Sequence, residues 1–272
     1  MKHKCLSIAG FDGSGGAGIQ ADLKTFSALG CYGMTVLTAM PIQNTCGVKH
    51  CYQLPLQCIK DQLETLFDDI TPDCIKIGML FSNDIIELVA NFLKKHASDI
   101  PIVLDPVMVA KSGDPLLLAD AEKTLKDKLI PLTSLITPNF PEAYRLTAPT
   151  QNPLDLGRLL LKLGSHAILL KGGHAEHDEC DDLLLEKGSP PIWLKTKRIQ
   201  SNNTHGTGCT LSAAICAYLA LGFSMKDACT QAKHYLTGAI AAAQHQSVGH
   251  GHGPVHHFYS IWPMLTHHSK ER

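Results

Sequence analysis

Cys5-Leu6-Ser7-Ile8-Ala9-Gly10-Phe11-Asp12-Gly13-Ser14-Gly15-Gly16-Ala17-Gly18-Ile19-Gln20-Ala21-Asp22 reads as a strand, a loop almost bare of side chains, and the start of a helix. Five glycines in the nine residues 10–18 let the backbone approach closely whatever sits in front of it. The spacing Gly13-x-Gly15-x-x-Gly18 loosely matches a dinucleotide fingerprint. That fingerprint needs an acidic residue at the end of a second strand about twenty residues on, and Thr38-Ala39-Met40 stands there instead, so a substrate-covering loop fits better. Asp12 has two readings, a turn residue or a working part of that loop.

Outward from this unit the pattern repeats. Short apolar runs at Cys5–Ala9, Met34–Ala39, Cys74–Ile77, Ile102–Leu104, Leu135–Thr137 and His166–Leu170 read as strands. Stretches of helical period lie at Ile19–Leu29, Leu56–Phe67, Asp84–Lys95, Ala119–Lys128, Asn139–Leu146, Pro153–Leu163, Thr207–Leu221 and Met225–Gln244. Alternating strands and helices predict an α/β fold with a mostly parallel central sheet flanked by helices. Asp181–Glu186 and Ile192–Lys195 read as an antiparallel edge hairpin around Gly188-Ser189-Pro190-Pro191. No linker-like composition divides the 272 residues, so a single domain, 1–272, is expected.

Charge is balanced, 24 Lys+Arg against 25 Asp+Glu, and no basic run suggests a nucleic-acid surface. No apolar segment approaches the roughly 18 residues that span a bilayer, so neither a membrane nor nucleic acid is the expected partner, and a cytoplasmic location follows. The ten cysteines include no C-x-x-C pair, which argues against a zinc ribbon or a dense disulfide framework; most read as reduced, buried fillers.

In such sheets ligands bind beyond the carboxyl ends of the strands, where this chain puts its unusual residues. Asn203-Thr204-His205-Gly206-Thr207-Gly208-Cys209-Thr210 opens a run of small residues. Read alone it is either a glycine-rich turn before a core helix or an anion trap of helix N-terminal N–H groups with the thiol of Cys209 at its mouth. Asp105 follows Ile102-Val103-Leu104 directly. Asn139 and Glu142 lie three apart at a helix start, fit for a capping box, for supplying hard oxygens to Mg²⁺, or for both. Lys171 ends another apolar run and reads equally as a solvated lysine or a partner for a nucleotide phosphate. Seven of the fifteen histidines fall between His245 and His268, broken by Gly249, Gly251, Gly253 and Pro254; this is either a metal-binding tail or a glycine-rich loop lining a pocket.

Taken together, Ile8-Ala9-Gly10, Gly15-Gly16-Ala17-Gly18-Ile19-Gln20-Ala21-Asp22-Leu23-Lys24-Thr25-Phe26 and Gln43-Asn44-Thr45-x-Gly47-Val48 closely resemble the hydroxymethylpyrimidine/phosphomethylpyrimidine kinases of thiamine biosynthesis. So do Lys76-Ile77-Gly78-Met79-Leu80, Asp105-Pro106-Val107-Met108-Val109-Ala110-Lys111-Ser112-Gly113, Thr137-Pro138-Asn139-x-x-Glu142-Ala143, Leu170-Lys171-Gly172-Gly173-His174, Thr204-His205-Gly206-Thr207-Gly208-Cys209-Thr210 and Gly251-His252-Gly253-Pro254-Val255-His256-His257-Phe258. The resemblance covers nearly the whole chain. It implies a ribokinase-like, three-layer α/β/α sandwich, with about 259–272 as a C-terminal extension, and transfer of phosphate from ATP with Mg²⁺ to 4-amino-5-hydroxymethyl-2-methylpyrimidine and then to its monophosphate.

Carried over residue by residue, the resemblance gives Gln43 the aminopyrimidine, with Gly10, Ala17, Met79 and Val107 as pocket wall. Asp105 and Glu142 go to Mg²⁺, Gly206, Thr207 and Gly208 to the anion hole, and Lys171, Thr204 and Gly206 to the nucleotide. A carboxamide both donates and accepts, as the aminopyrimidine edge requires. Cys209 stands where sugar-phosphorylating relatives carry an aspartate base; a helix N-terminus lowers a thiol's pKa, so Cys209 is expected to act as a base or to orient the acceptor. Phe11 departs from the small polar residue usual in that loop. A homodimer is expected by the same analogy. Pyridoxal kinase is the near alternative, and a non-catalytic ligand-binding or thiol-sensing protein the distant one.

Overall fold

The computed structural model describes residues 2–109, 113–114, 116–118, 120–173 and 180–262. Ala110, Lys111 and Ser112 of the Asp105 motif, His174, Ala119 at the start of an expected helix, and residues 263–272 of the expected extension lie outside the described residues.

Eight strands form one sheet: β1 (Lys4–Ala9), β2 (Tyr32–Leu37), β5 (Cys74–Ile77), β6 (Ile102–Leu104), β7 (Leu135–Ile136), β8 (Ala167–Leu170), β9 (Asp182–Glu186) and β10 (Ile192–Leu194), in the order β10-β9-β8-β7-β6-β5-β1-β2. The six from β8 to β2 run parallel, and β9 and β10 add an antiparallel edge, the hairpin expected from the sequence. The parallel strands are short apolar runs because both faces are covered, as a buried parallel sheet requires. Leu6, Ile8, Ile75, Ile77, Leu104 and Ile168 pack under α2 (Leu56–Asp69), α3 (Asn83–His96), a helical segment beginning as α4 (Ala121–Thr124), α5 (Phe140–Leu146) and α6 (Pro153–Leu161). Their strand neighbours Cys5, Cys74, Val103, Leu135 and Ala167 pack under α1 (Gly18–Ala28), α7 (Thr207–Ala220) and α8 (Met225–Ala243). Helices, sheet and helices make the expected three layers. The helix α7 is buried around most of its girth, from Thr210 to Ala217, so small residues on every face let it lie close to the sheet and between α1 and α8.

Three expectations shift. The strand expected at Met34–Ala39 ends at Leu37, because Ala39 opens a separate hairpin, β3 (Ala39–Asn44) and β4 (Gly47–Gln53), with a bulge between Ile42 and Gln43. Thr137 falls beyond β7, where its hydroxyl turns to the site. The helix expected at Ala119–Lys128 continues from α4 through a π-helical turn, Leu125–Leu129, and a 3₁₀ turn, Ile130–Leu132, which carries Pro131 near its start and ends at the extended Thr133.

Candidate active site

Side chains alternate across a strand, so the residues that follow the α7-facing apolar positions must face α7 as well. Lys76 follows Cys74 by two, Asp105 follows Val103, Thr137 follows Leu135, and Lys171 follows Leu169. All four lie at or just past a carboxyl end, beneath the entry to α7. That entry turns on Gly206, the N-cap, with φ 76°, where a Cβ would collide with the Gly16 carbonyl. Only glycine fits this left-handed position. A methyl placed on Gly208 would lie 3.1 Å from Asp105 Oδ2 and 3.6 Å from Lys171 Nζ, which puts the unpaired N–H end of α7 directly over these charges. Thr207 is the first residue of α7, and its N–H donates to the carbonyl of Thr204 in the preceding loop at 3.4 Å.

Asp105, 2% exposed, accepts from Lys171 Nζ at 2.7 Å and from Thr137 Oγ1 at 3.2 Å. Lys171 Nζ also lies 3.7 Å from Glu142 Oε2, so two carboxylates converge on one ammonium. Asn139 and Glu142 form a complete capping box, each side chain accepting from the other's backbone N–H at 2.8 Å, and the carboxylate still reaches Lys171. Capping and site duty therefore coexist. Lys171 is no solvated lysine: its charge is held well above its ordinary range by Asp105 and Glu142 in spite of burial.

Burial, helped by Asp105 and opposed by Lys171, pushes the Glu142 carboxyl up to about 7. Between its ordinary value of 4.5 and about 7 the native state keeps a proton that the unfolded chain gives up. This group's contribution to stability therefore falls as pH rises through that window and is flat above it. Glu142→Gln is expected to abolish that slope; thermal midpoints measured from pH 4.5 to 8 that decline identically in both proteins would refute the assignment.

The other half of the site is built around the 10–18 loop. Met79, 6% exposed, packs its sulfur where a Gly10 Cβ would stand, 2.9 Å away, and its carbonyl accepts from Thr38 Oγ1 at 2.6 Å. Gln43 Nε2 donates to the Phe11 carbonyl at 3.3 Å, and Phe11 N–H donates to Ala39 O at 3.0 Å. The unusual Phe11 thus acts through its backbone, joining hairpin β3–β4 to the loop. Val107, half-buried, sits one turn past Asp105 and donates its N–H to that residue's carbonyl. Gly10, Ala17, Met79 and Gln43 gather on this loop.

Cys209 stands between the two halves. It lies near the Gly18 N–H and within the field of Lys76, Asp22 and Asp105. The expectation of a thiol made acidic by the helix N-terminus is reversed: burial pushes Cys209 up to about 11, and Lys76 and the Gly18 N–H only partly offset it. At neutral pH the group is a thiol. Of the ten cysteines, all free, five are buried (Cys5, Cys31, Cys74, Cys216 and Cys229) while Cys46 and Cys58 are exposed, so half rather than most are core fillers.

Two polar pairings were not read from the sequence. Lys76 and Asp22 form an ion pair at 2.8 Å with both side chains fully buried, and Ser7 Oγ donates to Asp22 at 2.5 Å. Asp12 accepts from Ser14, Gly16, Ala17 and His205; burial alone would raise its carboxyl, but His205 and these donors pull it down to about 2. Asp12 is thus the turn residue of its loop and a partner of the anion loop as well. The histidine-rich segment packs beside it: His205 N–H donates to Gly253 O at 3.0 Å, Thr210 Oγ1 pairs with His257 Nε2 at 3.1 Å, and Tyr235 donates to His257 O at 2.6 Å. Among the described residues no group of three or more His, Cys, Asp or Glu side chains forms a metal cage. Gly249 and Gly251 instead line an open polar cleft of about 520 Å³ with Asn203 and Gln246, in keeping with the glycine-rich loop reading.

Residues 12–256 match the family model described as phosphomethylpyrimidine kinase. A hydroxymethylpyrimidine/phosphomethylpyrimidine kinase of Escherichia coli K12 is 48% identical over 262 residues, 94% of this chain and 98% of that one. The crystal structure of a phosphomethylpyrimidine kinase from Clostridium difficile superposes with a TM-score of 0.77 at 45% identity, covering 88% of this chain and all of that one. An ADP complex of Bacillus subtilis pyridoxal kinase superposes with a TM-score of 0.86 at 36% identity, covering 94% and 98%. Matched by that family model from residue 12 to residue 256 and 48% identical to the Escherichia coli enzyme over nearly its whole length, the chain belongs to the phosphomethylpyrimidine kinase family.

Proposed function

We propose that the chain transfers the γ-phosphoryl group of ATP to 4-amino-5-hydroxymethyl-2-methylpyrimidine and then to its monophosphate, yielding the diphosphate for thiamine diphosphate biosynthesis. The observation that carries this reading is the seating of α7 between two half-sites, Asp105–Lys171–Glu142 on one side and Gly10–Ala17–Met79–Gln43 on the other. Phosphoryl transfer asks a protein for positioning and for donors where charge accumulates. The N–H groups at Gly206 and Gly208 supply the donors, with Thr207 holding the turn between them through its bond to Thr204, and Lys171 adds a cation on the same side. Gln43 and Met79 hold the pyrimidine, and Cys209 meets its hydroxymethyl group. The polar cleft at Asn203 adjoins Thr204 and receives the rest of the nucleotide.

Mg²⁺ fits the donor set, since Asp105 and Glu142 present hard oxygens to one shared cation and a nucleotide-borne ion needs only one or two carboxylates. Bound there, it would neutralise phosphate charge. The same reading takes 1–272 as one kinase domain, supported by one eight-stranded sheet that holds every described strand except the hairpin β3–β4, with about 259–272 as an extension. A homodimer in the cytoplasm goes with it by family analogy; among the described residues no helix is long and apolar enough to cross a membrane.

Pyridoxal kinase is the second reading, favoured by the close superposition on the Bacillus subtilis enzyme. Steady-state kcat/KM with Mg-ATP on the hydroxymethylpyrimidine and on pyridoxal separates the two. We expect the pyrimidine to be preferred; a preference for pyridoxal overturns the assignment, and binding without transfer to either returns the chain to a ligand-binding role.

A further inference from the structure

We propose that Asp12 and His205 form a latch that fixes the acceptor pocket against the phosphate-binding loop, making both of them positioning residues for phosphoryl transfer. The inference rests on the kinase reading above. Asp12 lies two residues after Gly10 and His205 immediately before Gly206, 193 positions apart in the chain, and His205 Nε2 donates to Asp12 Oδ2 at 2.8 Å. The same carboxylate accepts from Gly16 N–H at 3.0 Å and from the N–H of Ala17, a wall residue of the acceptor pocket, at 2.7 Å. Its other oxygen takes Ser14 N–H at 2.9 Å and Ser14 Oγ at 2.7 Å. One buried side chain therefore grips the pocket wall with amides and the anion loop with an imidazole.

The fit leaves no slack. The imidazole lies so close over Gly16 that a Cβ there would strike it, and the next residue, Gly206, rests on the Gly16 carbonyl. On its far side the His205 backbone pairs with Pro254 and donates to Gly253 O, so the backbone that carries the ring is itself anchored. A carboxylate this near an anion-binding loop works against phosphate unless donors absorb its charge, and Asp12 has five. What the latch sets is the relative position of the hydroxymethyl oxygen and the N–H groups of α7, the quantity to which transfer rates are most sensitive.

The test compares His205→Phe, which keeps a ring and loses the donor, with His205→Gln, which restores an N–H, and with Asp12→Asn and the Asp12→Asn/His205→Phe double variant. Each is assayed with Mg-ATP and whichever acceptor the wild type turns over. H205F is expected to lower kcat about 10-fold or more, with both KM values within about 3-fold, and H205Q to recover most of the loss. The double variant should be no slower than the slower single one. An H205F kcat within about 3-fold of wild type, equal impairment of H205Q, or multiplying losses would each overturn the latch. If D12N fails to fold, the two His205 variants still decide. A wild type that prefers pyridoxal refutes the pyrimidine assignment alone, because the latch is then read on pyridoxal; a wild type that phosphorylates neither overturns both.

Discussion

Lys76→Met is expected to cost about 3–5 kcal/mol of stability, the penalty for leaving a buried carboxylate without its counter-charge. Asp22 is fully buried in α1 and receives Lys76 Nζ on both oxygens, at 3.0 and 2.8 Å, as well as the Ser7 hydroxyl. Burial would drive the Lys76 ammonium to neutrality, yet Asp22 holds it above its ordinary range. With the lysine gone, Asp22 keeps one hydroxyl donor for a full charge in the layer between sheet and α7. The double variant Asp22→Asn/Lys76→Met removes both charges and should recover most of the loss, because replacing a buried pair by neutral groups is far cheaper than breaking it. Denaturant unfolding at pH 7 measures both. A K76M loss under about 1 kcal/mol, or no recovery in the double variant, would show that the pair contributes little.

The central sheet was legible because strands covered on both faces have to be apolar runs, and Cys5–Ala9, Cys74–Ile77 and Ile102–Leu104 are such runs. Hairpin β3–β4 was not, since Pro41 reads as a breaker and β4 leaves most of its side chains at least partly exposed, with no alternation to mark it. The site divides the same way. Asp105 and Lys171 showed themselves as lone charges ending apolar runs, and Gly206-x-Gly208 as glycines before a helix of small residues. Pairings across the fold left no local trace: Asp12 meets His205 over 193 residues and Asp22 meets Lys76 over 54. A lysine within the buried strand Cys74–Ile77 is nevertheless a signal, since such a charge demands a partner. The acidity of Cys209 was read with the wrong sign because the helix N-terminus is visible in sequence, whereas burial, the larger effect here, is a property of the assembled layers.

Cys209→Ala is expected to lower kcat about 100-fold while leaving KM for the acceptor nearly unchanged, the signature of an interaction made chiefly in the transition state. The position is the reason: Cys209 adjoins Gly206–Gly208 on one side and the Gly18 N–H of the acceptor loop on the other. How it acts follows from its proton. With the thiol pushed up to about 11, little thiolate exists at pH 7, and a loose transition state asks little of a base. Orientation of the acceptor oxygen by the thiol is therefore the expected role, with Lys76 a counter-charge for any thiolate formed. Cys209→Ser separates the roles, since a hydroxyl still orients an oxygen but ionises far less readily than a thiol. Orientation predicts that Ser retains much of the activity lost in Ala and that kcat is level from pH 7 to 9. A base predicts that Ser is as slow as Ala and that wild-type kcat climbs with pH as thiolate accumulates. An Ala variant with wild-type kcat would remove Cys209 from the chemistry and leave transfer to the anion loop, Lys171 and the fixed spacing between the half-sites.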